Sequence, residues 1–426
     1  MKSKRVFITG MGVVAPNGVG IKEFSDSLFT AKSGIRKVDE LEKLGFNCQV
    51  GGICPVNFDN LIKRIPALSI SNISRSTFLA LTACLEALEN SGLLSNYDLE
   101  NTNDLEIIIG STIGSGDLWG DKIIPMVNSN KHLQLGSSAF EQVINSSPVA
   151  MIAGFLGISG RTISTSLACA SGTEAIIDAA NKIRRGDKKI IIAGGVEPYS
   201  KYYWATMDAM RITNPNYNHT PTLASRPMSE TARGFVPAEG SAILILEAYE
   251  HALNRGAPLM AEIAGGYINC GGQRNGGSMT ASNIAKLEEC LTLAIKDAGI
   301  KPKDLDYISG HLTSTKSDPI EIEAWVNILS LAPDDFPFIN STKSLIGHSL
   351  GACGAIETVA SVIQMNNRFI HASINCEDVH PRILKCIKPE KIAHQRIDNT
   401  EIHYIAKANF GFGDVNACLI IKNPNE

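Results

Sequence analysis

The chain lacks the patterns that would place it in a membrane, in an oxidising compartment or on a nucleic acid. Its ten cysteines include no CxxC pair and no His/Cys group at zinc spacing, which argues against a zinc module and favours reduced thiols. Lys and Arg number 39 against 43 Asp and Glu, so charge predicts neither nucleic acid nor an anionic membrane as partner. No run reaches about 18 apolar residues, and no membrane span is expected. We therefore expect a cytoplasmic protein.

Glycine and aliphatic residues are plentiful instead. With 37 glycines and 44% hydrophobic residues, the composition is typical of an α/β protein with many tight turns. A length of 426 residues is long for one core, so we expect two domains or two halves fused over a shared core.

An internal repeat relates the first part of the chain to the second. Three pairs of similar segments recur in the same order, namely 87–112 with 294–315, 171–183 with 351–363, and 238–248 with 413–423. Continuous apolar runs such as KIIIAGG predict buried sheets with amphipathic helices on their faces. The repeat therefore predicts a duplicated α/β unit in a layered α/β/α/β/α arrangement.

Two further stretches have a structural interpretation. The strand at 5–9 runs into Gly10-Met11-Gly12, but the third glycine of a dinucleotide fingerprint is missing, so we expect a strand followed by a glycine turn. The Asn-, Pro- and Ser-rich stretch 214–230 is typical of a long surface loop, and such loops often carry function.

Cys169 stands in SLACASGTE, between a strand-like stretch and a helical one. At a helix N-terminus the macrodipole favours a thiolate by up to about 2 kcal/mol, which would lower the pKa from about 8.5 by roughly 1.5 units. The sulfur would then be about half ionised near neutrality. The alternative is an inert core thiol, because cysteine is among the most buried residue types. From these residues alone, both interpretations stay open.

Two histidines favour the nucleophile. His311 follows a predicted strand in GHLTST, and His348 precedes the helix of the second half in STKSLIGHSLGACG. The His348 loop is the repeat counterpart of the Cys169 loop, and equivalent elements of duplicated units meet near their pseudo-twofold axis. We therefore expect Cys169, His311 and His348 to converge, and the remaining histidines to be structural.

These segments, taken in order, resemble the β-ketoacyl-[acyl-carrier-protein] synthases of the type I and II class. The resemblance rests on Cys169, on GHLTST with His311, on NSTKSLIGHSLGACGAIE with Lys343 and His348, and on ANFGFGDVN with Phe410 and Phe412. It extends over nearly the whole chain and implies the thiolase fold. An N-terminal half at 1–250 would carry the thiol, and a C-terminal half at 251–426 would carry the two histidines.

The resemblance implies a decarboxylative Claisen condensation between malonyl carrier protein and an acyl group held on Cys169. His311 and His348 would donate hydrogen bonds to the malonyl thioester oxygen as charge develops on it. Lys343 would hold the local charge network, and Glu321 would support that lysine and its loop. The other implied roles are an oxyanion hole from the backbone N–H groups of Cys169 and Phe412, a gate at Phe412, and substrate binding by Thr313, Thr315 and Phe410.

The resemblance also implies partners. Acyl and malonyl acyl carrier proteins would be the substrates, the phosphopantetheine would belong to the carrier protein, and no metal or redox cofactor would be needed. The chain would dimerise through a sheet edge with an identical or a paralogous subunit. An acidic carrier protein would need a basic patch, for which the candidates are Lys63, Arg64, Arg75 and Arg211.

Four departures from the family pattern indicate a specialised member, such as a type II polyketide or aryl polyene ketosynthase, as against a housekeeping elongation enzyme. Leu312 replaces a glycine beside the first histidine and should narrow the pocket or shift the loop. The interval that leads to Glu321 is one residue short. Asp414 replaces a glycine in the FGFG turn and adds a carboxylate near the gate. Ser71 and Asn72 stand where basic residues often meet the carrier protein.

Two alternatives belong to other classes of protein. A noncatalytic partner subunit of the chain-length-factor kind would share the fold without the nucleophile, and Cys169 with both histidines argues against it. A degradative thiolase would need a second cysteine in a glycine-rich C-terminal turn. Here Cys418 lies in a strand pattern instead, and the turn carries Phe412 and Asp414.

Overall fold

Strands and helices alternate along the chain, whose computed structural model describes residues 3–64, 73–96 and 105–426. The strands are β1 Val6–Ala15, β2 Gly18–Val19, β3 Ile35–Lys37, β4 Val50–Gly52, β5 Leu105–Gly110, β6 Thr162–Thr165, β7 Ile190–Glu197, β8 Gly240–Ala248, β9 Ala261–Cys270, β10 Tyr307–Ser309, β11 Phe338–Asn340, β12 Phe369–Ile370, β13 Ile397–Asp398, β14 Tyr404–Gly411 and β15 Val415–Lys422. The α-helices are α1 Ile21–Phe29, α2 Asp39–Lys43, α3 Phe58–Arg64, α4 Arg75–Asn90, α5 Leu93–Asn96, α6 Gly116–Leu118, α7 Ile124–Asn128, α8 Ser138–Val143, α9 Ser147–Leu156, α10 Ser171–Arg185, α11 Lys201–Ala209, α12 Tyr249–Asn254, α13 Ile284–Asp297, α14 Asp318–Leu329, α15 Lys343–Ile346, α16 Cys353–Asn367 and α17 Pro381–Leu384.

Five strands of each half lie in the same order. The N-terminal sheet has the order β6-β5-β7-β8-β1, and the C-terminal sheet has the order β11-β10-β14-β15-β9. In both sheets the first three strands pair in parallel and the last two pairings are antiparallel. Strand order and direction agree at every position, so the internal repeat in the sequence is a repeat of the fold.

The two sheets meet at their edges. β1 and β9 pair antiparallel, with Phe7 opposite Glu262 and Ile8 opposite Ala261. The sequence predicts two sheets, and the structure links them into one hydrogen-bonded path through these two residue pairs. The predicted boundary between residues 250 and 251 falls inside α12, which connects β8 to β9.

Helices cover both faces of each sheet. α4 and α9 pack on the outer face of the N-terminal sheet, and α13 and α14 pack outside the C-terminal sheet. α10 and α16 pack against each other and against strands of both halves, so they form the central layer. Along β8, Leu244 and Leu246 belong to the central core whereas Ile243 and Ile245 belong to the outer core. The predicted duplicated α/β fold with α/β/α/β/α layers is confirmed.

The two central helices touch where they begin. A Cβ atom added to Gly172 would lie 3.0 Å from the backbone nitrogen of Ala355, and one added to Gly354 would lie 2.2 Å from Oγ1 of Thr173. Larger side chains at these glycines would therefore push the helices apart. The close contact brings together the two loops that precede α10 and α16.

The predicted glycine turn after the first strand is wrong. β1 continues through Gly10 and Gly12 to Ala15. A Cβ atom at Gly12 would lie 2.0 Å from the carbonyl oxygen of Ala83 on α4, so the glycine serves close packing of that helix on the strand.

Two sequence expectations concern the environment of the chain. All ten cysteines are free thiols. Within the described ranges, no helix combines the length and the apolar character that crossing a bilayer requires.

Candidate active site

Cys169 lies on a tight turn between β6 and α10. Ala168 has a φ of 46°, which places a non-glycine residue in the left-handed region. Ser171 braces the turn, because its Oγ accepts from the N–H of Leu167 at 2.8 Å and donates to the carbonyl of Ala168 at 2.6 Å. The turn therefore places the thiol at the N-terminus of α10, as the sequence predicts, and only 9% of Cys169 is exposed.

Two imidazoles face this thiol. His348 Nε2 lies 3.1 Å from Cys169 Sγ. The ring centroids of His311 and His348 are 5.3 Å apart, with an interplanar angle of 82°. The sulfur and one ring nitrogen of each histidine all lie within 4.8 Å of one another. The structure thus brings into one buried site the three side chains that the repeat predicts to converge.

Burial dominates the ionisation of Cys169. Removal from water raises the pKa of the thiol to about 12, although Lys343 and hydrogen bonds from the backbone N–H groups of Phe412 and Cys169 lower it. The expectation of a half-ionised thiol near neutrality is therefore wrong. A helix N-terminus contributes at most about 2 kcal/mol, and burying a thiolate costs more than that. The resting site holds a neutral thiol against His348.

Both imidazoles are neutral as well. Burial, with the ammonium groups of Lys343 and Lys407, holds the pKa of His348 well below its ordinary value. Burial and Lys343 do the same for the pKa of His311. A neutral imidazole has one N–H donor and one acceptor nitrogen, so each ring can take up a proton or donate a hydrogen bond.

Lys343 pairs with a carboxylate that sequence reasoning missed. Its Nζ contacts Oε1 of Glu357, and Oε2 of Glu357 lies 2.6 Å from Nζ of Lys407. Each of these three side chains is at most 1% exposed. The sequence contained a signal for both partners, because Glu357 closes the stretch NSTKSLIGHSLGACGAIE and Lys407 immediately precedes ANFGFGD.

Glu321 supports the His311 loop. Its two carboxylate oxygens accept hydrogen bonds from the backbone N–H groups of His311 and Leu312, each at 2.8 Å. Burial raises the pKa of Glu321 to about 7. The carboxylate in contact with the Lys343 ammonium group is Glu357, so the expected support of Lys343 by Glu321 is electrostatic and not a direct contact.

Leu312 does not displace His311 from the site. Its side chain is buried in the outer core of the C-terminal half, together with Ile322 and Trp325. His311 keeps its ring contact with His348. Leu312 therefore fills core space while His311 still faces His348.

Thr313 and Thr315 lie next to each other, with their Oγ1 atoms 3.0 Å apart. Asp318 holds this loop, because its carboxylate accepts from the backbone N–H groups of Thr313 at 2.8 Å and Ser314 at 3.0 Å. Asp318 was not singled out in the sequence, where it is an ordinary acidic residue near a predicted helix start.

The second part of the predicted surface loop is buried. Residues 224–229 are all inaccessible, and Ser225 Oγ donates to the carbonyl of Lys343 at 2.7 Å. The N–H of Met228 donates to Asp318 Oδ2 at 2.9 Å. The stretch is therefore hydrogen-bonded to the Lys343 and Asp318 segments and is not a surface loop over its whole length.

The turn after β14 borders the thiol. Phe410 packs against His311, with ring centroids 5.8 Å apart. Phe412 is partly exposed, and its backbone N–H is directed at the sulfur of Cys169. This N–H and that of Cys169 are therefore placed to bind an oxyanion.

Asp414 ties this turn to a neighbouring segment. Its carboxylate accepts from the backbone N–H groups of Gln273 at 2.9 Å and Asn283 at 2.7 Å. Asp414 itself has a φ of 63°. The carboxylate that stands where the family has a glycine therefore holds the loop 271–283 by hydrogen bonds.

Two candidates for the basic patch are engaged within the chain. Arg75 pairs with the buried carboxylate of Glu239, with Nε 2.6 Å from Oε2, so it is not available to an acidic partner and that prediction is wrong. Arg64 pairs with Glu89 at the surface.

The other two candidates, Lys63 and Arg211, are exposed. They stay predictions for a carrier-protein contact. Ser71 and Asn72 lie outside the described residues.

The chain matches known proteins along its whole length. Residues 3–252 match the family described as β-ketoacyl synthase, N-terminal domain, and residues 260–377 match its C-terminal domain. 3-Oxoacyl-[acyl-carrier-protein] synthase 1 of Haemophilus influenzae is 32% identical, with 99% of this chain and 100% of that protein covered. The chloroplastic 3-oxoacyl-[acyl-carrier-protein] synthase I of Hordeum vulgare is 30% identical, with 98% and 88% covered.

Solved structures agree. A β-ketoacyl synthase from Burkholderia phymatum superposes with a TM-score of 0.89 at 28% identity, covering 99% of both chains. AntDE:AntF, described as a type II PKS acyl-carrier protein in complex with its ketosynthase, superposes with a TM-score of 0.86 at 28% identity, covering 99% of this chain and 100% of that one. The resemblance drawn from the motifs is confirmed: this chain belongs to the β-ketoacyl synthase family.

Proposed function

We propose that the chain is a β-ketoacyl-[acyl-carrier-protein] synthase that extends an acyl group held on Cys169 by decarboxylative condensation with a malonyl carrier protein. The observation that carries the proposal is the contact of Cys169 Sγ with His348 Nε2 at 3.1 Å, with His311 beside it. The names of the relatives support acyl carrier proteins as the substrates.

In the first half-reaction, Cys169 Sγ attacks the carbonyl carbon of the acyl thioester. The thiol proton passes to His348 Nε2, because a thiol with a pKa of about 12 does not supply a thiolate unaided. The carbon–sulfur bond to the carrier then breaks, and the leaving thiolate takes that proton back. The backbone N–H groups of Cys169 and Phe412 bind the oxyanion, an interaction typically worth about 2.7–4 kcal/mol per donor.

In the second half-reaction, the bond between the malonyl α-carbon and its carboxylate breaks and carbon dioxide leaves. The electron pair stays on the α-carbon and spreads onto the thioester oxygen, which receives hydrogen bonds from His311 and His348. For this step His348, whose Nε2 accepted the thiol proton during loading, carries its single proton on Nε2 once Cys169 is acylated. The carbanion attacks the acyl carbonyl on Cys169, and the carbon–sulfur bond breaks to release the 3-oxoacyl product. The Cys169 thiolate then takes one proton from solvent water, so each condensation consumes one proton.

The chemistry calls for no metal and no redox cofactor in this proposal. Carbon dioxide release supplies the driving force, and the two imidazoles supply the donors that an enolate needs. The phosphopantetheine arm would arrive on the carrier protein, with Thr313 and Thr315 as its hydrogen-bonding residues and Phe410 as part of the substrate wall. A cytoplasmic location, where the chain would encounter acyl carrier proteins, stays a prediction.

We propose a dimer through the β6 edge. β6 pairs with β5 on one side and alternates exposed and half-buried residues along its length. An apolar face lies nearby in sequence, with Trp119 47%, Leu133 91% and Phe140 72% exposed. Native mass spectrometry of the purified chain tests the proposed dimer. A dimer of the chain alone indicates an identical partner. A monomer that dimerises only when a paralogue is added indicates a heterodimer.

The second candidate is a noncatalytic chain-length-factor-like subunit. Nothing in the site favours it, because a partner without catalysis has no use for a buried thiol held against an imidazole. It would be supported if Cys169 stayed unmodified in the presence of every acyl carrier protein tested.

Mass spectrometry of the intact protein tests the proposed function. The chain is incubated with acyl carrier proteins of different chain lengths and then with malonyl carrier protein, and we expect an acyl adduct on Cys169 that disappears as a 3-oxoacyl product forms. Cys169→Ala should abolish the adduct. Cys270→Ala, which removes the exposed thiol, is the matched control and should leave it unchanged. An adduct that survives in Cys169→Ala would overturn the proposal. The chain lengths accepted would separate fatty-acid from polyketide or aryl polyene synthesis.

A further inference from the structure

Lys407 and Asn409 are buried polar residues on β14 that the mechanism above does not use. They stand two positions apart on one strand, so both side chains point to the same face. Neither is exposed, and no family motif quoted above assigns them a role. Lys407 Nζ lies 2.6 Å from Glu357 Oε2 and 3.0 Å from the carbonyl of Ala408, and it also contacts Asn409 Oδ1. These three acceptors match the three N–H groups of an ammonium ion.

Lys407 and Glu357 settle which way the Asn409 amide points. An ammonium group only donates, so the amide atom in contact with Nζ is the oxygen. Thr173 Oγ1 approaches that same oxygen at 2.5 Å. A threonine hydroxyl can donate or accept, and by itself it would allow either orientation. Lys407 at the oxygen and Glu357 Oε2, an acceptor 3.1 Å from the amide nitrogen, therefore make the assignment together.

The orientation of the amide determines the tautomer of His311. Asn409 Nδ2 lies 3.2 Å from His311 Nδ1 and 3.1 Å from Glu357 Oε2. An amide NH₂ group only donates, so His311 Nδ1 must accept and carries no proton. The proton of the neutral ring is then on Nε2.

We propose that Lys407 and Asn409 are positioning residues that hold His311 as its Nε2–H tautomer, so that this ring donates to the thioester oxygen during decarboxylation. The inference rests on the proposed function. In other catalytic sites a carboxylate fixes the tautomer of a histidine by accepting a hydrogen bond from its Nδ1–H. Here Lys407 and Asn409 fix the tautomer in the opposite way, because the amide donates to Nδ1 and the ring proton is then on Nε2.

The charged and titratable groups around His311 and its partner come from every element packed on them. They are Lys343 on α15, Lys407 on β14, His348 in the loop before α16, Glu321 on α14, Glu357 and Cys353 on α16, and Cys169 before α10. Glu321 binds the backbone of His311, and Glu357 is shared by the two ammonium groups. Asn409 is the group that contacts the Nδ1 atom.

Asn409→Asp tests the proposal. It keeps the oxygen that receives Lys407 and Thr173, and its second oxygen, an acceptor, faces both His311 Nδ1 and Glu357 Oε2. The ammonium groups of Lys343 and Lys407 lie beside these two carboxylates and balance the added charge. The ring must then place a proton on Nδ1, and it keeps one on Nε2 only while it is an imidazolium. The rate of decarboxylation by the variant, divided by the rate of the wild type, should therefore fall as pH rises. We expect a fall of about 10²-fold between about pH 6 and about pH 9, because losing one oxyanion donor typically costs that much. Taking the ratio removes the pH dependence that both proteins share.

Two readouts separate the outcomes. Acyl loading of Cys169 depends on His348 and should fall less than decarboxylation, which is followed by release of labelled carbon dioxide from malonyl carrier protein. A ratio that does not change with pH while loading persists would overturn the inference, as would a parallel loss of both half-reactions at every pH. If the wild-type chain itself neither loads nor extends, the proposed function fails instead.

Lys407→Met gives a second, independent measurement. Without the lysine, only Glu357 Oε2 still distinguishes the two amide orientations, because Thr173 allows both. The flipped orientation becomes less costly, and the share of His311 without an Nε2 proton increases. Decarboxylation should drop about tenfold more than acyl loading, the size of effect usual for residues that orient a reacting side chain. Asn409→Ser is the control for Asn409→Asp, because it removes the amide without presenting a carboxylate and should show no slope with pH. Equal losses of both half-reactions in Lys407→Met would contradict the proposal.

Discussion

Glu357→Gln tests whether one buried carboxylate neutralises two buried ammonium groups. Glu357 lies between Lys343 and Lys407, and all three side chains are at most 1% exposed. Although burial opposes it, the two lysines hold the pKa of Glu357 below its ordinary value. Removing one partner of a buried ion pair typically costs about 3–5 kcal/mol, because the other charge is left without compensation. We expect a loss of this size in the free energy of unfolding at pH 7. The loss should be near the upper value, because two buried ammonium groups lose their counter-charge.

The loss should shrink as pH rises. Without the carboxylate, burial lowers the pKa of the lysines in the folded state below the value of about 10.4 that they have when unfolded. The unfolded state then binds more protons than the folded state, so stability increases with pH through this interval. We therefore expect the difference between variant and wild type to be smaller at about pH 9.5 than at pH 7.

Urea unfolding followed by circular dichroism at both pH values measures this difference. Glu401→Gln is the matched control, because Glu401 and its partner Arg368 are exposed and such surface pairs contribute about 1 kcal/mol or less. If Glu357→Gln stayed within about 1 kcal/mol of wild type at both pH values, the charge compensation argued here would be refuted.

Three further predictions follow from the site. Alkylation of Cys169 by iodoacetamide should accelerate about tenfold per pH unit up to pH 10, because the thiolate fraction rises that way for a thiol with a raised pKa, and a plateau near pH 7 would contradict the raised value. His348→Ala should slow both acyl loading and decarboxylation by about 10²-fold or more, whereas His311→Ala should slow decarboxylation alone, and equal effects of both on loading would rule out the assigned roles. Asp414→Gly removes an acceptor from two N–H groups of the segment 271–283, and hydrogen exchange there should become faster; unchanged protection would show that the carboxylate does not hold the segment.

Local pattern was sufficient for the architecture. Each half has five strands in the same order, and the apolar runs of the strands require cover on both faces, so a duplicated layered fold follows. Glycine was harder to interpret. Gly12 stands in a glycine-rich stretch that is typical of a turn, yet it lies inside β1. The glycine is needed because α4, from another part of the chain, packs closely on the strand at this position.

Reactive residues were recognised by motif, and their partners were not. Cys169, His311 and His348 each stand in a distinctive stretch. Glu357 and Lys407 adjoin such stretches, but nothing local pairs them with Lys343, and only α16 and β14 bring the three together. Arg75 shows the reverse error, because a basic residue that suggested a docking surface pairs with a buried carboxylate 164 residues away.

The order of residues alone predicted the class of fold and singled out Cys169 and the two histidines, because period, repeat and motif are properties of neighbouring positions. Tertiary structure decided the protonation of the thiol and the identity of the counter-charges. Both depend on how much water is excluded and on which distant side chains share the excluded space, and folding alone sets those two quantities.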